Sequence, residues 1–424
     1  NAVSITTDEN APWSQTLSDE TLYGALFRGK AHDSFGNTVS ELGVKFVNTE
    51  LQYDNEDAEP IGPNDTNAIV LGIQNAKPIE RFPAPGAATL PAALTEISHP
   101  LLEMTNGSKV VVGRDSDEGQ DSLYNTGITG VEIKGVKYAA GDAGTREMRP
   151  TSHSGTPTFA PLVQFSSDSE IFIKRETKTL KNSIGFALRD SKNLSSDLEL
   201  NSIVIDNGSF QNDNLRPAKT APAGSSFASS AAYAGSSSSP EQWTHSMTGL
   251  VIENQAGSAD SVGEIHLHDT TIDSQKAESA ISVVNVSSLT LGVEESTIGA
   301  AIDGSSQDTD HAYIDASQAG IDVYGLTGSS TINIEGSTVR GKSGILVHDS
   351  PQAVGLTVTT DSNSTILGAG SIQSPNDSST DTTITTAGLL VDNVAVDLNV
   401  DSSSTVETYG VGYTGSNVEV TDAT

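Results

Sequence analysis

A short phrase recurs along the second half of this chain and limits what the chain can fold into. Each copy begins with a small residue, continues with an apolar–any–apolar stretch, and reaches Asn, Asp or Gly five positions after its start. The copies are GFALRD (185–190), GLVIEN (249–254), AISVVN (280–285), GIDVYG (320–325), GILVHD (344–349), GLLVDN (388–393) and GVGYTG (410–415). The tightest spacings are 24 residues (320 to 344) and 22 residues (388 to 410), and insertions enlarge the others. This pattern is typical of a solenoid whose coils carry loops.

The phrase predicts one strand and one turn of each coil. With the small residue as position zero, positions one and three are apolar in nearly every copy, while positions two and four vary. Such alternation is typical of a strand with one buried face. Position five takes residue types that tolerate the left-handed backbone conformation, which indicates a tight turn.

A second strand, a corner rich in Ser, Thr and Asp, and a third short strand follow each turn, as in TINIEGSTV (331–339). We therefore predict an all-β fold, a right-handed parallel β-helix with long loops on one edge. The alternative, a β-sandwich, would need many hairpin turns such as Asn-Gly. Only Asn106-Gly107 and Asn207-Gly208 provide such pairs.

We divide the chain into two parts. Residues 1–124 are expected to form an irregular N-terminal part of the β-helix with a cap and loops, and residues 125–424 a regular β-helix. The last three insertions enter at one phase of the coil, so their loops should rise on one edge and wall a lengthwise groove. The four insertions of the regular part are 139–160, 207–246, 299–318 and 368–386.

The charge of the chain restricts its partners. The formal net charge is −33, and no Cys is present. Residues 109–219 hold 14 of the 22 cationic side chains, while residues 220–424 hold 3 cationic and 25 acidic ones. An acidic rod repels nucleic acid and anionic membranes, so neither is an expected partner. No apolar stretch reaches the length of a membrane span, so direct membrane insertion of this segment is not expected either.

The groove floor should consist of outward side chains at positions two and four. Carboxylates and amides hydrogen-bond sugar hydroxyls, and a Tyr ring offers a stacking surface, so the floor suits an extended glycan. We expect none of these side chains to be buried; the alternative is that they form an ordinary solvated face. The candidate glycan contacts are Arg189, Glu253, Asp322, Tyr324, His348 and Asp392, with the basic stretch Lys174, Arg175, Lys178 and Lys181.

Enzymatic and metal chemistry find little support in the sequence. A polysaccharide lyase or glycoside hydrolase of the parallel β-helix type remains the alternative function, but the NTD, DD, GHG and RIK signatures of polygalacturonases are absent. The acidic segments 115–121 and 307–315 do not complete a Ca²⁺-binding loop. His266 and His268 share one strand face, but no third ligand is evident. We expect no catalytic residue, no cofactor and no metal.

The coil AGLLVDNVAVDLNVDSSSTVET (387–408), in a Cys-free acidic chain, resembles the secreted passenger of a bacterial autotransporter adhesin (type V secretion). The resemblance covers about 161–424. It implies display on the bacterial cell surface, outside the outer membrane, by a C-terminal β-barrel. It also implies binding of host glycosaminoglycans and fibronectin by a monomer rather than self-aggregation. The chain stops in mid-pattern, so we expect it to be part of a longer protein. No ligand residue can be transferred by motif.

Overall fold

The chain forms a right-handed parallel β-helix, as the repeats predict. The computed structural model contains strands and no helix in the part that it describes. Within that part, nothing has the length and apolarity of a membrane-crossing helix. The described residues are 3–6, 21–29, 40–54, 67–78, 99–112, 127–137, 161–173, 183–205, 247–255, 261–274, 277–299, 319–341, 343–348, 350, 355–368, 387–392, 394–408 and 418–421.

Three long parallel sheets form the sides of the rod, with strands numbered in chain order. Sheet 1 holds β2 (Thr21–Arg28), β6 (Asn67–Gln74), β10 (Gly127–Lys134), β13 (Ser183–Arg189), β16 (Met247–Glu253), β19 (Ser279–Val284), β22 (Ala319–Tyr324), β25 (Ser343–His348), β28 (Leu389–Asp392) and β31 (Val418–Thr421). Sheet 2 holds β4 (Val44–Val47), β8 (Leu102–Thr105), β11 (Val163–Phe165), β14 (Leu194–Glu199), β17 (Gly263–His268), β20 (Leu289–Glu294), β23 (Ser330–Glu335), β26 (Gly355–Asp361) and β29 (Ala395–Val400).

Sheet 3 holds β1 (Val3–Thr6), β5 (Glu50–Asp54), β9 (Lys109–Val112), β12 (Glu170–Ile173), β15 (Ser202–Ile205), β18 (Thr271–Asp273), β21 (Thr297–Ile298), β24 (Thr338–Gly341), β27 (Thr365–Gly368) and β30 (Thr405–Thr408). A short pair, β3 (Ser40–Glu41) with β7 (Ala76–Lys77), lies beside them. Each rung visits sheet 1, sheet 2 and sheet 3 in turn, and each strand pairs with its equivalent in the next rung. At the usual strand spacing the stack is about 40 Å long.

Positions one and three of the repeated phrase form the core, as predicted. Leu250, Ile252, Ile321 and Val323 are at most 1 % exposed, and they belong to one apolar cluster that runs through the described rungs. Because each rung buries only a few side chains, the core gains its continuity from stacking between rungs. The low apolar fraction of the chain therefore suffices for this fold.

The small residue at position zero has a steric cause. Gly130, Gly185 and Gly249 are skipped in the ladder of paired residues, although their neighbours on both sides are paired. A Cβ on Gly249 would lie 2.5 Å from Ile272 Cγ2 of sheet 3 and 2.7 Å from the backbone oxygen of Ala280. Position zero thus faces the interior next to position one, and both paired strands share this irregularity, because neither has an extra residue. This irregularity turns the residue before position zero to the outer face.

Position five is the predicted turn column. Asn75, Asp190 and Asn285 adopt left-handed backbone angles with φ of 52°, 49° and 55°, and Gly325 has a φ of 66°. The backbone NH of Asn285 donates to Tyr324 O of the next rung at 3.1 Å, and the NH of Asp190 donates to Glu253 O at 2.9 Å. Asn254 and Asn285 occupy this column in consecutive rungs, but Asn254 does not adopt the left-handed backbone predicted for it.

The Ser/Thr corner between sheets 2 and 3 is a ladder of buried hydroxyl groups. The NH of Thr270 donates to Ser296 Oγ at 3.0 Å, and the NH of Ser296 donates to Ser337 Oγ at 2.9 Å. The ladder continues through Ser364 to Ser404. Each hydroxyl satisfies a backbone NH that the corner would otherwise leave buried and unpaired.

The three sheets run without a break across residue 124. Strands β1, β2, β4, β5, β6, β8 and β9 precede that residue and pair in register with later rungs. The described residues before 124 therefore share the regular architecture that we expected only after it. A cap and the loops of that part lie outside the described residues.

The insertions enter where we expected them. Residues 207–246, 299–318 and 368–386 fall almost wholly outside the described residues, but each joins a strand of sheet 3 to a strand of sheet 1. We call this corner of the rod the insertion edge. By contrast, 139–160 joins β10 of sheet 1 to β11 of sheet 2 and so enters at a different corner.

Candidate functional site

The outer face of sheet 1 carries the predicted groove floor, but much of it is buried. The described candidate side chains point outward as predicted, but the prediction that none of them is buried is wrong for Asp322 at position two and for His348 at position four. Asp322 is 2 % exposed and His348, at position four, 1 %. Asp322 lies beside the buried Leu346 in the strand register, and this outer face carries small apolar clusters of its own. These are Ile184, Ala187 and Val251 in one cluster and Ala319, Leu346, Ala387 and Leu390 in another.

Asp322, Tyr324 and His348 come together on neighbouring rungs. His348 Nε2 lies 2.9 Å from Asp322 Oδ1, a hydrogen-bonded contact between two buried side chains. The rings of Tyr324 and His348 stack with centroids 5.3 Å apart and planes 23° apart. Burial, aided by the charges of Asp322 and Glu253, raises the pKa of Tyr324 above its usual value. The phenol of Tyr324 is therefore neutral at physiological pH. Because Asp322 and His348 are both buried, a large ligand cannot reach their contact.

Arg189 lies between two carboxylates of adjacent rungs. Its Nη1 is 2.7 Å from Glu132 Oε2, and its Nε is 3.2 Å from Glu253 Oε2. The Glu132 side chain is only 4 % exposed, whereas those of Arg189 and Glu253 are 25 % and 36 % exposed. Arg189 therefore compensates a buried charge first, and it presents only part of its guanidinium to a ligand.

The polar face continues toward the N-terminus through residues that sequence reasoning missed. Arg28 Nη2 donates to Gln74 Oε1 at 2.9 Å, and Gln74 Nε2 donates to the hydroxyl of Tyr23 at 2.5 Å. Burial is the main cause that raises the pKa of Tyr23, with the charge of Glu132 adding to it. Residues 24–29 (GALFRG) carry the repeated phrase with Arg28 at position four, so a signal for Arg28 existed, whereas Val70 replaces the small residue of the copy that holds Gln74.

The remaining candidates lie partly or wholly outside the described residues. Asp392 ends β28 in the position-four column, but its side chain lies outside the described residues. Lys174, Arg175, Lys178 and Lys181 also lie outside them, in the connection from β12 to β13 at the insertion edge. The acidic segments 115–121 and 307–315 likewise fall outside the described part of the chain.

The outer face of sheet 2 carries a second cluster. His266, His268 and Glu294 offer ligand atoms within 4.8 Å of one another, and they form the one His and carboxylate group of this kind among the described residues. Glu294 is the third candidate ligand, which the sequence did not reveal. The cluster contributes nothing to the face of sheet 1.

Comparison with known proteins adds no relative: no protein-family model, no curated protein and no solved structure matches the chain.

Proposed function

We propose that this chain is the ligand-binding rod of a bacterial cell-surface adhesin, similar to an autotransporter passenger. Its ligands would be host extracellular-matrix molecules, namely glycosaminoglycans and fibronectin. The observation that carries the proposal is the alignment of three long insertions at one edge of a continuous rod. A rod that gathers its variable segments along one edge can contact an extended ligand at several rungs.

The partly exposed row at position four supports a site beside the insertion edge. Glu253 and Arg189 each keep a quarter or more of the side chain accessible, and Tyr324 stays partly exposed. Carboxylate, guanidinium and phenol groups can hydrogen-bond or stack with sugar rings. Asp322 and His348 drop out as direct contacts, because both are buried, and they instead support the position of the Tyr324 ring.

The distribution of charge favours one end of this site for an anionic glycan. Residues 220–424 carry 25 acidic and only 3 cationic side chains, so a sulfated chain would be repelled there. The basic stretch Lys174, Arg175, Lys178 and Lys181 joins β12 to β13 at the insertion edge. We therefore propose that sulfated segments bind beside β13, while less charged parts of the ligand extend along later rungs.

Replacing the four cations of the basic stretch by Gln should weaken binding to immobilised heparan sulfate about tenfold, or roughly 1.4 kcal/mol. The expected loss follows from removing the attraction that offsets the acidic rod. Surface plasmon resonance at physiological salt measures it. The matched control is Lys45→Gln with Lys109→Gln, which removes positive charge from sheets 2 and 3 and should leave the affinity within about twofold.

Incubation of the protein with heparan sulfate, chondroitin sulfate and pectin distinguishes an adhesin from the alternative, a polysaccharide lyase or hydrolase. Adhesion predicts retention of at least one ligand without new unsaturated or reducing ends. Product release at ordinary enzyme rates of about 1 per second or more would favour the enzyme instead. Equal binding by the wild type and the four-Gln variant would place the ligand on another face.

A further inference from the structure

The His and carboxylate cluster on the outer face of sheet 2 has the arrangement of a metal site. His266 and His268 are two residues apart on β17, so both side chains leave the same face of the strand. Strand pairing places Glu294 of β20 beside His268 and Gly292 beside His266. A Cβ on Gly292 would lie 2.6 Å from His266 Nδ1, so this glycine leaves the space into which the imidazole leans.

One carboxylate bridges both imidazoles. Glu294 Oε1 lies 2.5 Å from His266 Nδ1, and Glu294 Oε2 lies 3.2 Å from His268 Nδ1. The two rings stack with centroids 6.0 Å apart and planes 17° apart. The two Nδ1 atoms and the carboxylate therefore converge on one point. Ligands about 2.0–2.2 Å from a Zn²⁺ ion are roughly 3.0–3.5 Å apart, so small side-chain rotations would admit the ion.

The outward nitrogen of each imidazole also faces a carboxylate. His266 Nε2 lies 3.0 Å from Glu264 Oε1, and His268 Nε2 lies 3.8 Å from Asp197 Oδ1. Metal-binding histidines commonly donate their second ring NH to such a group, which fixes the tautomer and raises the basicity of the ligating nitrogen. Glu264 would hold the Nδ1 atom of His266 free for a metal, whereas Asp197, at 3.8 Å, is too far from His268 for a direct hydrogen bond.

We propose that His266 Nδ1, His268 Nδ1 and the Glu294 carboxylate bind one divalent first-row transition-metal ion, with Zn²⁺ as the reference. Imidazole ligands favour Zn²⁺, Ni²⁺ or Cu²⁺ over Ca²⁺ and Mg²⁺, which prefer oxygen. The side chains of His266, His268 and Glu294 are 28 %, 34 % and 26 % exposed, so water or a ligand atom can complete the coordination.

The competing explanation is a network of protonated histidines paired with carboxylates. Burial lowers the pKa of His266, but hydrogen bonds to Glu294 and Glu264 and their charges outweigh it, so the pKa is raised overall. Both explanations account for the contacts. They differ in whether a metal displaces the protons that the imidazoles and Glu294 share.

Calorimetric titration of the chelator-treated chain with ZnCl2 at pH 7.5 distinguishes them. If the metal site exists, we expect the chain to bind one Zn²⁺ ion with micromolar affinity and to release no comparable heat when CaCl2 is added. His268→Ala and Glu294→Gln should each weaken Zn²⁺ binding at least about tenfold. The control His99→Ala removes an exposed imidazole elsewhere and should leave the affinity unchanged.

Wild-type and His266→Ala/His268→Ala proteins that take up Zn²⁺ equally would overturn the proposal. A crystal of the wild type soaked in ZnCl2 gives a second test without any variant. Anomalous scattering at the zinc edge should peak between His266 and His268, and the absence of a peak there would also overturn it. The site lies on sheet 2, so its failure would leave the proposed glycan contacts on sheet 1 untouched.

Discussion

Replacing Gly320 by Val is expected to destabilise the rod by at least about 3 kcal/mol. A Cβ at this position would lie 2.7 Å from the backbone oxygens of both Arg340 and Gly344 and 2.7 Å from Val339 Cγ1. The oxygen of Gly344 cannot move away without disturbing the pairing of β25 with β22, and the oxygen of Arg340 cannot move away without disturbing β24. Urea unfolding followed by circular dichroism measures the loss.

Gly355 is the matched control for this substitution, because a Cβ there would meet nothing within 4 Å. Gly355→Val should change the stability by less than about 1 kcal/mol, although it makes the same chemical change at a strand of the same rod. Gly320→Ala should fall between the two variants, since Ala280 occupies the same column. Equal effects at Gly320 and Gly355 would refute the close approach of sheets 1 and 3.

Replacing Asp322 by Ala should cost about 3 kcal/mol of stability. The change removes a 2.9 Å hydrogen bond between two buried side chains, and breaking a buried contact of this kind is costly. Asp322→Asn keeps a side-chain oxygen in place and should cost less. Chemical denaturation at pH 7 measures both changes.

One control variant and one double variant test whether the loss in Asp322→Ala comes from its contact with His348. Asp397→Ala removes an exposed carboxylate from β29 and should change the stability by less than about 0.5 kcal/mol. Asp322→Ala combined with His348→Ala should cost less than the sum of the single changes, because each single change already removes the same contact. Strict additivity would mean that the contact between the two side chains contributes nothing.

The core and the turns could be predicted because each depends on residue type alone. Leu250 and Ile252 repeat in the inward columns, and the residue types of Asp190 and Asn285 tolerate the left-handed turn that they adopt. Because stacked rungs need the same residue types at equivalent positions, a pattern that is weak in one rung is confirmed by its repetition in the next. Fold and turn positions follow from that repetition.

The burial of the outer face of sheet 1 was missed, although a signal existed. Strand parity shows which way a side chain points, and it does not show whether another layer covers it. Val251, Leu346 and Leu390 placed apolar groups at position two, and apolar residues on both faces are typical of parallel strands buried on both sides. A strict period of two also does not contain the irregularity at position zero, where Gly249 and the next residue both face the interior.

Glu294 was missed because its neighbours lie 26 and 28 residues away in sequence. The corner alignment contained the information, since Thr270 and Ser296 stack in the hydroxyl ladder. Aligning those two residues places Glu294 directly beside His268. Candidate metal ligands that come from different rungs are found only when the rungs are superposed, not when the chain is searched for a local motif.

The binding of heparan sulfate fragments of increasing length tests the central claim, which is that the rod holds an extended glycan along its insertion edge without cleaving it. If several rungs each add a weak contact, the affinity should rise with fragment length until the fragment spans the site, and every fragment should be recovered intact. An affinity that does not change with length, or the recovery of shortened fragments, would contradict the account.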